Sequence, residues 1–397
     1  MSELSGFRHE LREFLERDVP LSLRGTRRGR FDGFWGGRKA QPAPDVKRWF
    51  ELALERGLTA PAWPRVYGGA GLTREHARIL DQELARLKLP PPLVGVGLTM
   101  IGPTLLDYGT EAQRAEHLPR IARGEVRWCQ GYSEPGAGSD LASLGTRAVR
   151  DGDEFVVNGQ KIWTSFADKS DWIFALVRSD PAAKKQLGIT FLLIDMQTRG
   201  VSTRPIELIS GASPFCETFF EDVRVPAANV IGAIDGGWSV AKALLGYERS
   251  MIGEAMSGDI ADAERALVAR ARAALGEASG PLGDDAMRLA IARVAMQERC
   301  FAFTIERLKQ GMREGQAPGS ESSILKVVAS ELKQARWEQA VTIAGPEALG
   351  WEGPGFEAGD LAATREWLRS RANTIEGGTS EVQLNIIAKR ILELPGA

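Results

Sequence analysis

The 397-residue sequence has few cysteines, few histidines and no excess of charge of either sign. Its three cysteines, Cys129, Cys216 and Cys300, are odd in number and far apart. This favours reduced thiols in a cytoplasmic compartment over a disulfide framework. The net charge of −2 gives no indication of nucleic-acid binding. The N-terminal segment has no apolar signal core, and no run approaches the roughly eighteen apolar residues of a membrane span, so we expect no membrane segment.

Motifs of several common enzyme classes are also missing. His9, His76 and His117 lack the spacing of metal ligands, so we expect no metal site. The sequence has neither a Gly-Lys-Ser/Thr phosphate loop nor a Gly-x-Ser-x-Gly nucleophile elbow. Zinc hydrolases, P-loop nucleotidases and serine hydrolases are therefore poor candidates for the function.

Periodicity divides the sequence into a helical domain (1–125), a central β domain (126–232) and a second helical domain (233–397). In the β domain, Asp151-Gly152 and Asn158-Gly159 each predict a hairpin turn. The last domain has four long helical patterns, at roughly 237–275, 284–314, 320–344 and 358–392. The predicted fold is a multidomain α+β arrangement: an N-terminal all-α domain, a small antiparallel β-barrel or sandwich, and a C-terminal four-helix bundle.

Two ordered runs in the β domain carry the candidate functional residues. The run from Gln130 to Asp140 is a small-residue loop flanked by hydroxyls, where backbone N–H groups can closely approach an anionic or electron-rich ligand. The run from Asn158 to Ser165 delivers Trp163 and Ser165 on one side of a strand. A flat apolar ring beside a hydroxyl donor suits a heteroaromatic cofactor. Taken singly, however, each of these residues fits an ordinary antiparallel strand better.

Together the two runs resemble the flavin-binding signature of the acyl-CoA dehydrogenases, and the resemblance covers most of the chain. It implies FAD as the cofactor, with Ser133 at the pyrimidine edge of the flavin, Trp163 on the isoalloxazine and Ser165 near N5. It also implies that Ser139 contacts the FAD pyrophosphate or the pantetheine of the substrate. The other cofactor-binding positions implied by the resemblance are Tyr132, Gly138, Thr379 and Glu381.

Desaturation of an acyl thioester needs a base for the α-proton, and a buried carboxylate with a raised pKa suits that role. Glu248 lies on an apolar helical face, four residues after Leu244 and four before Ile252. On residue type alone, a buried ion pair with an arginine explains Glu248 better. The run from Leu244 to Arg249 nevertheless resembles the segment that supplies the base in the isovaleryl- and long-chain-type members.

The C-terminal run from Thr374 to Gln383 offers a competing base. The resemblance aligns Gly377 with the glutamate that is the base in other members, and Glu376 falls one residue earlier. It further implies that the Gly377 N–H hydrogen-bonds the thioester carbonyl and stabilises developing enolate charge. We therefore prefer Glu248 as the base and keep Glu376 as the alternative.

An insertion from Arg24 to Lys39 interleaves basic residues with Phe31, Phe34, Trp35 and several glycines. Such a pattern is compatible with contacts to nucleic acid or to the phosphates of CoA. Because the chain is not basic overall, we favour a loop whose aromatic side chains pack on the helical domain.

The resemblance therefore implies an FAD-dependent acyl-CoA dehydrogenase of fatty acid β-oxidation, which converts an acyl-CoA to a trans-2-enoyl-CoA. Its electrons would pass to an electron-transfer flavoprotein, and the chain would form a homotetramer or a homodimer. One alternative is an acyl-CoA oxidase or flavin monooxygenase on the same fold. The other is a subunit of a heteromeric dehydrogenase.

Overall fold

A computed structural model describes residues 3–27, 32–255, 260–276, 280, 282–313 and 319–395, with side chains in all of these except 247–255, 260–264 and 312–313. The chain divides into two compact units. Unit 1 comprises Met1–Ile206 and Pro214–Glu248, and unit 2 comprises Glu207–Ser213 and Arg249–Ala397. Unit 1 contains the sheet and the helices that precede it, whereas unit 2 contains C-terminal helices.

The described N-terminal helices are α1 (Glu3–Asp18), α2 (Pro44–Glu55), α3 (Arg74–Arg86), α4 (Gly102–Tyr108) and α5 (Glu111–Ala122). The first three share an apolar core in which Leu15, Trp49 and Leu84 are almost fully buried. A capping box begins α5: the Thr110 hydroxyl accepts from the Gln113 N–H, and the Gln113 side chain accepts from the Thr110 N–H. The helical character predicted for this region is confirmed.

The centre of unit 1 is a mostly antiparallel sheet. Its strands are β1 (Trp128–Gly131), β2 (Arg147–Asp151), β3 (Glu154–Ser165), β4 (Trp172–Arg178), β5 (Ile189–Asp195), β6 (Val201–Ile206), β7 (Phe215–Pro226) and β8 (Val230–Ile231). The strand order is β6-β7-β3-β2-β4-β5-β8, and β1 pairs with β4. Within the described residues, all pairs are antiparallel except those of β4 with β1 and with β2.

Both faces of the sheet are covered by apolar side chains. Along β4, Phe174 and Leu176 belong to one core cluster, and Ile173 and Val177 belong to another. Successive side chains of a strand point to opposite faces, so a strand with two buried faces needs apolar residues at every position. This explains why the sequences of β4 and β5 are continuous apolar runs rather than alternating ones.

The two predicted hairpins have different outcomes. The turn predicted at Asp151-Gly152 is confirmed, because β2 and β3 form a hairpin in which Gly152 has a φ of +62°. The turn predicted at Asn158-Gly159 is wrong, because both residues lie inside β3. Gly159 instead marks a bulge with a φ of +149°, and a Cβ on it would lie 2.7 Å from the Thr146 Cα.

After the sheet, α6 (Gly237–Ala255) continues unit 1 as far as Glu248, and its Val240 and Leu244 are buried in the sheet core. Unit 2 contains α7 (Ile260–Leu275), α8 (Asp285–Arg313), α9 (Ser322–Ala344), α10 (Ala358–Ser370) and α11 (Ser380–Arg390). The predictions for α8 and α9 are confirmed. The predicted segments 237–275 and 358–392 each contain two helices instead of one.

The helices of unit 2 have apolar cores of their own. Ile291 and Val294 of α8 form one cluster with Leu267 of α7 and Ile343 of α9. The α-helical character predicted for the C-terminal region is therefore confirmed. In the described ranges, no helix combines the length and the apolar character that crossing a membrane would require.

The three cysteines are free thiols in two different environments. Cys129 and Cys216 are buried in the sheet core, and burial raises the pKa of both thiols, that of Cys129 to about 12. Cys300 is exposed on α8. The reduced state predicted from their number and spacing agrees with this arrangement.

Candidate functional site

The loop between β1 and β2 begins with a tight turn of small residues. The Glu134 N–H donates to the Ala137 carbonyl and the Ala137 N–H donates to the Glu134 carbonyl, each at 3.0 Å. A Cβ on Gly136 or on Gly138 would meet open space, with no contact within 4 Å. The turn therefore leaves room for a ligand to approach the backbone closely.

The predicted side chains of this loop differ in exposure. Ser139 is exposed and Ser133 is half-buried. Tyr132 is buried, with its ring packed edge-on against Phe174. The Tyr132 carbonyl accepts a hydrogen bond from Lys161 Nζ at 3.2 Å. Tyr132 thus supports the loop from the core, whereas the two serines present hydroxyls at its surface.

A buried ion pair fixes the loop to β3. Lys161 is fully buried and donates to Glu134 Oε1 at 2.7 Å. Glu134 also accepts from the backbone N–H groups of Gly145, at 2.6 Å, and Thr146, at 2.9 Å. Burial lowers the pKa of Lys161 to about 8. Burial alone would raise the pKa of Glu134, but the Lys161 charge and these hydrogen bonds hold it below its ordinary value.

Trp163 lies at a second irregularity of β3, where the register with β7 shifts. Its φ is +60°, in the left-handed region. The Ile162 N–H donates to the Ser133 carbonyl at 2.9 Å and so joins this bulge to the β1–β2 loop. The Trp163 side chain is 52% exposed, and its ring centroid lies 6.1 Å from that of Phe215. The backbone at Trp163 is therefore held by the bulge, and the indole has an accessible apolar face.

Ser165 ends β3 with an exposed side chain, and Thr164 before it is buried. Trp163 and Ser165 are thus both exposed on either side of a buried residue, and their placement on one face of the strand stays a prediction. Phe166 follows with a left-handed φ of +54°, and its N–H donates to the Pro214 carbonyl at 2.8 Å. The exposed hydroxyl of Ser165 therefore lies between two left-handed residues.

The insertion is described at residues 24–27 and 32–39, and the second of these parts is called the strap. Within it, Trp35 meets the Phe166 ring edge-on, with centroids 5.3 Å apart, and the Arg127 guanidinium lies over both rings. Phe34 packs against Phe50 at 4.9 Å. The prediction that these aromatic side chains pack on the helical domain is confirmed for Phe34. It is wrong for Trp35, which packs on Phe166 just after β3, and Phe31 lies outside the described residues.

Glycines and one arginine fasten the strap. A Cβ on Gly36 would lie 2.6 Å from the Gly124 carbonyl oxygen, and the Gly37 N–H donates to that oxygen at 2.9 Å. Gly36 has a φ of +67°, so only glycine fits this position without strain. The Arg38 guanidinium donates to both carboxylate oxygens of Asp195, at 3.0 and 2.7 Å.

The two candidate bases differ in what surrounds them. Glu248 lies in α6 four residues after the buried Leu244, and its side chain is outside the described residues. Glu376 is described in full: Arg369 donates to its Oε2 at 2.7 Å, and the Asn373 amide donates to its Oε1. Both oxygens of the Glu376 carboxylate therefore accept a hydrogen bond from a residue of unit 2.

The turn before α11 contains the remaining predicted positions. Gly377 and Gly378 have φ values of +64° and +92°, and the described residues provide no acceptor for the Gly377 N–H. The Thr379 hydroxyl caps α11 by accepting from the Val382 N–H at 3.2 Å. The backbone N–H of Glu381 and the Thr379 hydroxyl hold the pKa of the Glu381 carboxyl below its ordinary value.

Sequence reasoning assigned no role to Lys161, Glu134 or Phe166. A signal existed for Lys161, because a lysine at an inward position of a strand needs a buried partner. Glu134, in the other run, is that partner. No local signal marks Phe166, since its partners Trp35 and Arg127 are distant in the sequence.

Three family models match the chain in succession: the acyl-CoA dehydrogenase N-terminal domain over residues 2–125, the middle domain over 129–223 and the C-terminal domain over 235–392. Among curated proteins, acyl-CoA dehydrogenase IpdE1 of Mycobacterium tuberculosis is 35% identical over a 399-residue alignment. That alignment covers 100% of this chain and 99% of the relative.

Solved structures give the same result. A protein described as Tcur3481-Tcur3483 steroid ACAD aligns with a TM-score of 0.78 and 30% identity, over 100% of this chain and 99% of its own. The ChsE4-ChsE5 complex of Mycobacterium tuberculosis aligns with a TM-score of 0.75 and 28% identity, over 100% of this chain and 99% of its own. The similarity therefore extends over the whole chain in both sequence and structure.

Proposed function

The chain belongs to the acyl-CoA dehydrogenase family of oxidoreductases, and from this premise we propose that it desaturates an acyl-CoA thioester to the trans-2-enoyl-CoA with FAD as its cofactor. The reaction needs a base for the α-proton and an acceptor for the β-hydrogen. FAD, when bound, supplies the hydride acceptor. The observation that carries the proposal is the exposed Trp163 indole, two residues before the exposed Ser165, in a bulge that the Ile162 N–H joins to the Ser133 carbonyl.

The residues around Trp163 fit the flavin part of FAD. The 52% exposed indole offers an apolar face to a ring system, and Ser133 and Ser165 offer hydroxyl donors to its polar edge. The Lys161–Glu134 ion pair ties the loop that contains Ser133 to the strand that contains Trp163, and a cofactor site needs its residues held in this way. We assign Ser133 to the pyrimidine edge, Trp163 to the isoalloxazine and Ser165 to N5.

Small and hydroxyl-bearing residues would hold the rest of FAD. We assign Gly138 and Ser139 to the pyrophosphate or the pantetheine, supported by the open space beside Gly138 and the exposure of Ser139. We assign Thr379 and Glu381 to the phosphate and adenosine portions. Tyr132 contributes through its backbone, because its ring is buried.

We propose Glu248 as the base that accepts the α-proton. The hydrogen bonds from Arg369 and Asn373 support this choice, because they direct the Glu376 carboxylate toward residues of its own unit. We assign the Gly377 N–H to the thioester carbonyl. One such donor is typically worth about 3 kcal/mol of transition-state stabilisation.

Flavin bleaching tests the reaction. The purified protein with bound FAD is mixed anaerobically with short, branched, long and ring-bearing acyl-CoAs, and at least one is expected to abolish the oxidised flavin absorption. Ring-bearing thioesters come first, because one relative is described as a steroid ACAD. A flavin that no acyl-CoA reduces would contradict the proposed activity.

A pair of matched variants tests the base. Glu248→Gln is expected to retain FAD and to reduce the rate of thioester-dependent flavin reduction by about 10²–10⁴-fold, the usual contribution of a general base. Glu376→Gln makes the same chemical change in the C-terminal turn and is expected to leave the rate close to that of the parent protein. The reverse result would transfer the role to Glu376.

We propose an electron-transfer flavoprotein as the acceptor and a homotetramer or homodimer as the assembly. Comparing dioxygen with an artificial acceptor separates this from an acyl-CoA oxidase: faster flavin reoxidation by dioxygen would favour the oxidase. A heteromeric dehydrogenase is the second candidate, favoured by the relative that is described as a complex of two components. Activity that requires co-expression with a second related chain would support it.

A further inference from the structure

Two residues with side chains flank Ser165 in the left-handed region: Trp163 has a φ of +60° and Phe166 a φ of +54°. This conformation is unfavourable for any residue with a Cβ. It persists only where the surrounding structure determines it, and such positions are concentrated at functional sites. The contacts that hold Phe166 therefore decide where the Ser165 hydroxyl points.

The Phe166 backbone is held by its own turn. Its N–H donates to the Pro214 carbonyl at 2.8 Å. Its carbonyl accepts from the Lys169 N–H at 3.0 Å and from the Ser170 hydroxyl at 2.9 Å. These bonds fix the direction of the turn, but each connects it to a nearby loop or to itself, and none involves the ring.

The Phe166 ring is held by Trp35 and Arg127. Trp35 meets it edge-on at 5.3 Å, and the Arg127 guanidinium lies 4.8 Å from its centroid and 4.4 Å from that of Trp35. Among the described residues, Arg127 forms no ion pair, so its cation interacts chiefly with the two rings. Burial lowers the pKa of Arg127, whereas the charge of Asp168 acts in the opposite direction.

One buried carboxylate connects the strap to the segment that contains Arg127. Asp171 Oδ2 accepts from the Arg127 N–H at 2.8 Å and from the Arg38 N–H of the strap at 3.0 Å. Asp171 is 5% exposed. The backbone of the strap at Arg38 and the backbone at Arg127, just before β1, are thus connected through a single buried group.

We propose that Trp35 and Arg127 are positioning residues for the flavin site, acting as a clamp on the Phe166 ring that keeps the turn from Ser165 to Ser170 ready for the cofactor. The inference rests on the proposed function, because it takes the Ser165 hydroxyl as an FAD ligand. Without the clamp, the turn must be ordered when FAD binds, and that ordering weakens binding.

Paired variants of the strap test the clamp by FAD affinity. Trp35→Ala is expected to raise the FAD dissociation constant, measured by flavin fluorescence, by about tenfold, the scale of one aromatic pair with one cation–π contact. Phe34→Ala is the matched control, because Phe34 packs on Phe50 and not on Phe166, and it is expected to stay within about twofold of the parent. Trp35→Phe retains an aromatic ring and is expected to restore most of the affinity.

Hydrogen exchange in the cofactor-free protein gives a readout that does not depend on FAD. The amides of Phe166, Lys169 and Ser170 are expected to exchange faster in Trp35→Ala than in Phe34→Ala. Unchanged exchange and unchanged FAD affinity in a folded Trp35→Ala protein would overturn the clamp. Equal losses in both strap variants would also overturn it, because the effect would then be general destabilisation.

Arg127→Met removes the cation of the clamp. It replaces Trp35→Ala as the test if Trp35→Ala does not fold. It is expected to weaken FAD binding and to accelerate exchange at the same three amides; a parent-like protein would overturn the inference. A parent protein that binds no FAD would refute the proposed function instead. The exchange measurement would still decide whether Trp35 and Arg127 order the turn.

Discussion

Three arginine side chains surround the carboxylate of Glu83 on α3. Arg8 and Arg12 of α1 donate to it at 2.6 and 2.8 Å, and Arg86 of α3 donates at 2.8 Å. Glu83 is 1% exposed. Burial alone would raise the pKa of Glu83, but the arginine hydrogen bonds outweigh it and hold the pKa at about 2. A single side chain thus ties the first helix of the chain to the third.

Replacing Glu83 should change the acid stability of the protein. The unfolded carboxyl titrates near 4.5 and the folded one near 2. Between these values the unfolded chain binds more protons, so the free energy of unfolding of the parent falls as pH falls. Glu83→Gln is expected to lower the free energy of unfolding at pH 7 by about 2 kcal/mol. Because the glutamine does not titrate, the variant is expected to lose less of this free energy than the parent as the pH falls.

Urea unfolding between pH 3 and pH 7 measures the effect of Glu83. Glu13→Gln is a suitable control, because Glu13 lies on α1 with a 63% exposed side chain, and its ion-pair contact in the described part of the chain is to His9. The interpretation of Glu83 is wrong if the two variants show the same dependence on pH.

At the scale of the secondary-structure elements, β3 stays one long strand despite its two bulges. Asn158 uses its side chain across the sheet: its amide donates to Asp222 at 3.0 Å, and the Asp222 N–H donates back to it at 2.9 Å. Gly159 then passes so close to Thr146 that no Cβ fits between them. The Asn-Gly pair therefore keeps a long strand in the sheet instead of reversing the chain.

Replacing either of two glycines in the β2–β3 hairpin by alanine should lower the free energy of unfolding by different amounts. Gly159→Ala combines a positive φ with a 2.7 Å approach to the Thr146 backbone, so we expect a loss of about 2–4 kcal/mol in the free energy of unfolding. Gly152→Ala has a positive φ and open space, so we expect about 1–2 kcal/mol. Denaturant midpoints compare the two, and equal losses would contradict the role of close packing at Gly159.

Elements whose signal is local were predictable from the sequence. The continuous apolar runs of β4 and β5 and the Gly152 hairpin each depend on residues within a few positions of one another. The Asn158-Gly159 pair was misread because the same dipeptide serves a turn or a bulge. The deciding partner, Asp222, is 64 residues away.

The same limit applies to the candidate site. Ser133, Trp163 and Ser165 were recognisable because their spacing is part of a family signature, and the structure joins Ser133 to the Trp163 bulge through one backbone hydrogen bond. The clamp on Phe166 was not recognisable, because its members come from three separate segments of the chain. Their cofactor contacts stay predictions until the variants are measured.

At the scale of the whole molecule, α8 has two apolar faces. One face contributes Ile291, Val294 and other residues to the cores of unit 2. The other exposes a line of large side chains seven residues apart: Leu289, Met296 and Phe303, which are 53%, 62% and 68% exposed. A seven-residue spacing places them along one side of the helix, and an apolar line of this kind marks an interaction surface.

We expect this line to pack against a second copy of the chain. Light scattering of the purified protein should therefore give a multiple of the 43.2 kDa chain mass, and Phe303→Glu should lower that mass. Leu21→Glu provides the control, because Leu21 is 73% exposed and is remote from α8 in sequence. A monomeric parent protein would contradict self-association. It would favour a second, related chain as the partner of this surface.

The distribution of the thiols has a practical consequence for such experiments. Cys129 and Cys216 are shielded by the sheet core, whereas Cys300 is exposed on α8, between Met296 and Phe303. Cys300 follows Met296 by four residues and precedes Phe303 by three, so it lies on the side of α8 that is expected to pack against a second copy. A maleimide should therefore react with Cys300 faster in the dissociated chain than in the assembly, and the labelling rate of this native thiol would report the fraction of assembled chains.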